Sequence, residues 1–283
     1  MNKITAFFTA LVLIITHWAG LSPATVSDGY ELTKTDRLNP IVSMFSAQGL
    51  CCDGEHFYAS GSLTGVGFTG LAKFDLNMRP QKLRAMALPK EIKEQYGSDH
   101  IGGIDCAGGL IYAPVEGDGY VNDLILLYDC ETLAYTGTYY DLSGERFGDG
   151  IPWCAVDEEA GLLYTSRFDN VTEIYQYDLK TMEYVGSVKL DRELFRLQGG
   201  SVYDGKLYLS YDVKHSADEI LWAVDLKTGC VTEAMTRYIR NYDNEAEDVC
   251  VYPLPDGSLF HFCDYDKLIS TYVYHVRAKQ ANG

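Results

Sequence analysis

Gly54-Glu55-His56-Phe57 is the first of five variations on one phrase, in which a glycine at a turn is followed three residues later by a strand aromatic. The others are Gly109-Leu110-Ile111-Tyr112, Gly161-Leu162-Leu163-Tyr164, Gly205-Lys206-Leu207-Tyr208 and Gly257-Ser258-Leu259-Phe260. Four of the five aromatics are answered 14 to 18 residues on by Asp75, Asp129, Asp178 and Asp225, each closing a second apolar strand. A repeat of roughly 45 to 55 residues made only of short strands marks a β-propeller with one blade per copy. The pattern therefore predicts an all-β, five-bladed propeller.

Each repeat reads as four strands. In the second, the expected strands are Ile101–Cys106 innermost, then Leu110–Val115, Asp123–Asp129 and, outermost, Ala134–Leu142. Asp53-Gly54, Asp204-Gly205 and Asp256-Gly257 supply tight hairpin turns at the same place in their repeats. The fifth repeat runs out of chain after Ser270–Val276, while Tyr30–Leu38 is a strand-like segment without a partner. A ring must pair its ends or leave an edge exposed, so Tyr30–Leu38 is expected to close blade five. A sixth, degenerate blade within Pro89–Ser98 is the alternative, but that stretch of Pro, Lys, Glu and Gln reads as helical.

Residues 1–24 read as a secretory signal: Lys3 precedes an apolar run from Phe7 to Ile15, and Ser22-Pro23-Ala24 offers a cleavage point. An uncleaved anchor is the other reading, although the run is shorter than the ~20 residues a spanning helix needs. Residues 25–283 then form a single domain, secreted or periplasmic and monomeric, with no further membrane contact. The formal charge of -17 disfavours nucleic acid and suits cationic or neutral ligands or metal ions, while also serving solubility. Eight cysteines in an exported chain permit disulfides, with Cys250–Cys263 the first expectation. No Cys or His spacing suggests a structural zinc.

The repeat also aligns the residues that enter each inner strand. These are Gln48; Asp99 and His100; Asp149, just before Pro152-Trp153; Gln198; and Glu245, Glu247 and Asp248. All five entrances are polar ahead of apolar strands. The loops after the second strands add Glu116, Arg167 with Asp169, Asp212 with His215, and Asp264 with Asp266. Crowded carboxylates raise one another's pKa and suit acid/base work, so Glu247, Asp149 and His100 are the candidate catalytic residues. Gln48, Trp153, Gln198, Arg167 and Glu116 are the candidate ligand-binding residues. The same oxygens could hold Ca²⁺, or could merely cap loops.

Phe45-Ser46-Ala47-Gln48-Gly49-Leu50, with Cys52-Asp53-Gly54 and Tyr58-Ala59-Ser60, resembles the opening blade of the glutamine cyclotransferases. The strand endings Phe74-Asp75-Leu76, Tyr177-Asp178-Leu179 and Val224-Asp225-Leu226-Lys227-Thr228-Gly229 are similar to that family and to quinoprotein-type propellers. The resemblance implies a secreted five-bladed propeller, with Phe45 and Gln48 in the family's positions and cyclisation of N-terminal glutamine as its activity. The family's acidic positions are not matched: Ala59 follows Tyr58, and Leu197-Gln198-Gly199-Gly200 stands where an Asn-Glu-Leu-Glu run is expected. Three functions stay open. The first is binding of a small polar molecule, peptide or glycan in the top-face channel; the others are catalysis there, as a cyclase, hydrolase or lyase, and a protein-interaction platform on the rim loops.

Overall fold

A computed structural model describes residues 24–63, 67–117, 122–144, 146–212, 218–238, 244–266 and 270–279. Residues 1–23 of the expected signal segment and His215 lie outside the described residues. Five sheets form the five blades of a β-propeller. Blade one comprises Leu50–Cys52, His56–Leu63, Phe68–Asp75 and Pro80–Ala85. In every blade the strand that follows the repeated glycine lies second from the axis, as the spacing predicts.

The repeated aspartates have a common task. Each ends a third strand opposite the residue one or two positions past the repeated glycine, as in Asp129 against Leu110 and Asp225 against Lys206. Its Oδ1 then accepts amides of the turn leading outward: Asn77 and Arg79 for Asp75, Lys180 and Thr181 for Asp178, Lys227 and Thr228 for Asp225. An Asp side chain that mimics a backbone turn favours this geometry. The fifth copy needs no such aspartate because its third strand, Ser270–Ala278, is not followed by a hairpin. Its outer neighbour is Tyr30–Arg37 from the other end of the chain, as expected.

The closure is hydrogen-bonded below its surface as well as along the backbone. His261 Nε2 donates to the Tyr252 carbonyl at 2.8 Å, so the Nδ1–Nδ1 contact of 2.7 Å with His275 requires the proton on His275. His275 Nε2 in turn meets Asp36 Oδ2 at 3.1 Å, tying the N-terminal strand to the last blade. Burial holds His261 down at about 3, so its imidazole stays neutral. A second tie was not anticipated: Thr25–Val26 pairs with Tyr238 and Arg237, adding a fifth strand to blade four. The N-terminal chain thus spans the seam between blades four and five.

Two readings need correction. The inner strand of blade two is not continuous over Ile101–Cys106 but consists of Ser98–Ile101 and Asp105–Ala107, both paired to Leu110–Gly117. Between them Gly102 and Gly103 press against blade three, where Gly103 bridges Trp153 and a Cβ on Gly102 would sit 2.1 Å from the Pro152 carbonyl. Nor is there a Cys250–Cys263 bridge; all eight cysteines are thiols. The register sets Cys250 against His261 and Cys263 against Val273, so the two sulfurs are not cross-strand partners. The helix expected within Pro89–Ser98 is present as Lys90–Tyr96, stopped by Gly97 in the left-handed region at φ 68°.

Five apolar clusters fill the five interfaces between blades. Tyr58 and Leu71 meet Ile101 and Leu126 between blades one and two, and Phe57 and Phe74 meet Cys263 and Val273 between blades one and five. At the axis one carboxylate joins several inner strands. Asp248 accepts the amide of Leu50 in blade one at 2.9 Å, that of Val249 in its own blade at 2.8 Å, and that of Gly200 in blade four. Glycines make room for it: a Cβ on Gly199 would lie 2.0 Å from its Oδ1, and one on Gly103 3.1 Å from its Oδ2.

Removing this hub strands three buried amides. Asp248→Ala is expected to cost about 3 kcal/mol or more in chemical denaturation. Glu247→Gln, one residue away, should be neutral or stabilising, and equal losses in the two variants would contradict the assignment.

Candidate functional site

The strand entrances and the loops between second and third strands share one end of the barrel, as the register requires. His100 lies opposite Glu116, and Ala246 opposite Asp264. Around this mouth the polar residues gather into two groups. One, on blades two and three, holds Asp99, His100, Glu116, Asp123, Asp149 and Arg167. The other, on blades four, five and one, holds Arg196, Gln198, Asp212, Glu245, Glu247, Asp264 and Gln48.

In the first group Glu116 is 3% exposed and Asp123 2% exposed, and Glu116 Oε2 and Asp123 Oδ1 are buried with no hydrogen-bond partner. Burial, reinforced by Asp123, Asp149 and Asp99, pushes Glu116 up to about 8. Burial with help from Asp141 and Asp149 pushes Asp123 up to about 7. Gly150, at φ 89°, brings blade three so close that a Cβ there would lie 2.3 Å from Glu116 Oε2. His100 is half-buried, and desolvation lowers it to about 4, which leaves a neutral imidazole. Asp149 is occupied differently: Oδ1 accepts the Phe168 amide at 3.1 Å and Oδ2 that of Asp169 at 3.0 Å. Arg167 Nε lies 3.5 Å from the same carboxylate, so Asp149 orders the loop that carries Arg167.

In the second group Glu247 is 3% exposed, and burial, followed by Glu245, Asp212, Asp264 and Asp248, raises its pKa well above the ordinary range. Gln48 Nε2 donates to Glu247 Oε1 at 3.1 Å, joining the entrances of blades one and five. Gln198 Nε2 reaches Glu245 Oε1 at 3.5 Å. Two flanking carboxylates are neutralised. Asp212 pairs with Arg196, whose Nε also donates to the Asp212 carbonyl at 3.0 Å. Asp264 meets Arg237 Nη1 at 2.5 Å, and that guanidinium stacks over Phe262 at 4.1 Å.

Trp153 differs from its expected role. It is 0% exposed, packed with Leu197 and Leu209 between blades three and four, and offers no face to the mouth. Gly200 makes that packing possible, since a Cβ there would lie 2.8 Å from the indole. Asp248 belongs to the axis hub rather than to the mouth. Sequence reasoning overlooked Asp123, Arg196 and Arg237 as partners of the mouth. For Asp123 a signal existed: Glu116 and Asp123 end and begin strands across one hairpin and so must share its mouth.

The carboxylates at the mouth are not gathered tightly enough to form a ready cation cage. Among the described residues, the only three potential ligand atoms within 4.8 Å of one another belong to Cys51, Asp105 and Cys106, at the other end of the inner strands. What the mouth offers is three buried acids whose protonated form burial favours, one neutral imidazole, two amide side chains and paired guanidinium groups. That inventory can accept hydrogen bonds from a donor-rich ligand and can also donate a proton.

No protein-family model matches the chain, and no curated protein sequence matches it. Among solved structures, a structural genomics protein of unknown function from Bacteroides thetaiotaomicron is similar, with a TM-score of 0.47 and 12% identity over 90% of this chain and 76% of that one.

The raised acids make stability fall with pH. Glu116 contributes fully below its ordinary 4.5, and its contribution is lost as pH climbs through about 8. Glu116→Gln removes that loss. The variant should match the parent at acid pH and exceed it above pH 8, by up to about 5 kcal/mol. Thermal melts across this range check the result, and a variant less stable than the parent at alkaline pH would contradict it.

Proposed function

We propose that this chain is an exported propeller that binds a small polar ligand rich in hydrogen-bond donors, neutral or cationic, at the blade-two and blade-three side of the channel mouth. The observation that carries the reading is the pair of buried carboxylate oxygens, Glu116 Oε2 and Asp123 Oδ1, that the protein leaves without hydrogen-bond partners. Buried acceptors of this kind cost about 1–3 kcal/mol each when unsatisfied, and a ligand's ammonium or hydroxyl groups would recover that. The overall charge of -17 attracts such ligands and repels anions. Asp149 fixes the loop of Arg167 beside them, which adds one donor for an acceptor on the ligand.

A catalytic reading is favoured by one contact. Glu247 is buried and held protonated, and Gln48 orients it from the neighbouring blade at 3.1 Å. A protonated carboxyl so placed suits a general acid for cyclisation, hydrolysis or elimination on an uncharged substrate. His100, a neutral imidazole in the other group, would be the corresponding base.

A thermal-shift screen with polyamines, amino sugars, neutral sugars, glutaminyl peptides and CaCl₂ separates these readings. Binding at saturation should raise the melting temperature by about 5 °C or more for an organic donor-rich compound, and Glu116→Gln/Asp123→Asn should abolish the shift. A response to calcium alone, or organic shifts unchanged in the double variant, would overturn the binding proposal. Turnover of a glutaminyl peptide that is lost in Glu247→Gln would establish the catalytic reading, and its absence across the panel would remove it.

A further inference from the structure

The inner strands end at a second cavity, away from the polar mouth. It has a volume of about 380 Å³ and is walled by Cys52, Asp105, Cys106, Cys130, Cys250 and residues of blades three to five, Glu158 among them. Four of the eight cysteines thus face one small space. A fifth, Cys51, is 2% exposed and lies just behind it, between blades one and two.

Among these groups three ligand atoms converge. Sγ of Cys51, Sγ of Cys106 and a carboxylate oxygen of Asp105 lie within 4.8 Å of one another. A tetrahedral Zn²⁺ with Zn–S near 2.3 Å separates two thiolates by about 3.8 Å, and a thiolate from a carboxylate oxygen by about 3.6 Å. The 4.8 Å limit on the three separations lies within about 1.2 Å of those values. The three come from two neighbouring inner strands, Leu50–Cys52 and Asp105–Ala107, so a bound ion would clamp blade one to blade two. Asp105 is already oriented from outside: Oδ1 accepts the Cys106 amide at 2.8 Å and Oδ2 the Val156 amide of blade three at 2.7 Å. A carboxylate still has lone pairs for a cation after two such bonds, and outer contacts of this sort hold ligands in place.

Simple packing explains a buried cysteine, which behaves as a small apolar side chain. It does not explain a carboxylate within 4.8 Å of two thiols, themselves hydrogen-bonded to each other, at the edge of a cavity. We propose that Cys51, Cys106 and Asp105 form a binding site for a borderline-soft divalent cation of the Zn²⁺ class, with its fourth position open to the cavity. Two sulfurs with one oxygen select such an ion over Ca²⁺ or Mg²⁺, which take oxygen ligands. Binding displaces the two thiol protons to solvent as the thiolates coordinate. Cys52, Cys130 and Cys250 line the space into which the fourth ligand, water or a small molecule, would enter.

The test uses the full chain, reduced and then dialysed against ZnCl₂, with metal measured by inductively coupled plasma mass spectrometry. The expected result is one Zn²⁺ per chain, with stoichiometry dropping to background in Cys106→Ser and Cys51→Ser. It should be unchanged in Cys230→Ser, which removes the exposed cysteine. Because core variants can misfold, Co²⁺ is added to the unsubstituted chain as well. A thiolate-to-cobalt charge-transfer absorption that Zn²⁺ displaces supports the site without any mutation. Absence of bound zinc and of that absorption in the reduced chain would overturn the proposal, as would full zinc binding by a folded Cys106→Ser variant. Isolation of a Cys51–Cys106 disulfide that forms in preference to zinc binding would also overturn it.

Discussion

Four of the five blades meet at one carboxylate. Asp248 accepts amides from blades one, four and five, and it sits against glycines of blades two and four, of which Gly199 leaves no room for a side chain. Inner strands of a propeller converge, and converging backbones bring their polar groups where water is scarce. A buried amide without an acceptor is costly, so a side chain that serves three of them at once sets the spacing of the ring. Burial raises the Asp248 pKa strongly, and the amide bonds oppose that rise. What lies to either side of this hub follows from it. The strand entrances above carry acids and amides, and the strand ends below carry thiols.

Around the rim, closure rests on a different device. The chain's beginning supplies the outer strand of blade five and a short extra strand on blade four, and Asp36 reaches through His275 to His261. The repeated aspartates show the same economy. They appear where an outer strand must be reached through a turn, and blade five, whose outer strand comes from elsewhere, has none. Pairing with Tyr30–Arg37 covers what would otherwise be the exposed edge of Ser270–Ala278.

Much of this was legible in the sequence because it is local. Glycine, aromatic and aspartate recur at spacings set by hairpin length, so blade number, strand order, the helix at Lys90–Tyr96 and the closing strand followed directly. The ring of polar entrances was also readable, since each belongs to its own repeat. Roles within that ring were not. Asp248 bonds Leu50 across 198 residues of sequence, and Glu247 meets Gln48 across 199, so neither contact leaves a local trace. Trp153 could be read as core or as a ligand-stacking ring from its place after a proline near the mouth, and it is Gly200 in the next blade that opens the space holding it in the core. Arg237 lies on an outer strand of blade four and neutralises Asp264 of blade five, a partner no repeat alignment would suggest.

The central claim is that the mouth holds acids which the protein itself leaves uncompensated, ready for a donor-rich partner. Carbon-13 NMR of the carboxyl groups, titrated against pH on the unliganded chain and assigned with Glu116→Gln, reports this directly. Glu116 is expected to titrate near pH 8, well above its ordinary 4.5. A Glu116 carboxyl that titrates at or below 4.5 would show that the charge is already balanced, and would contradict it.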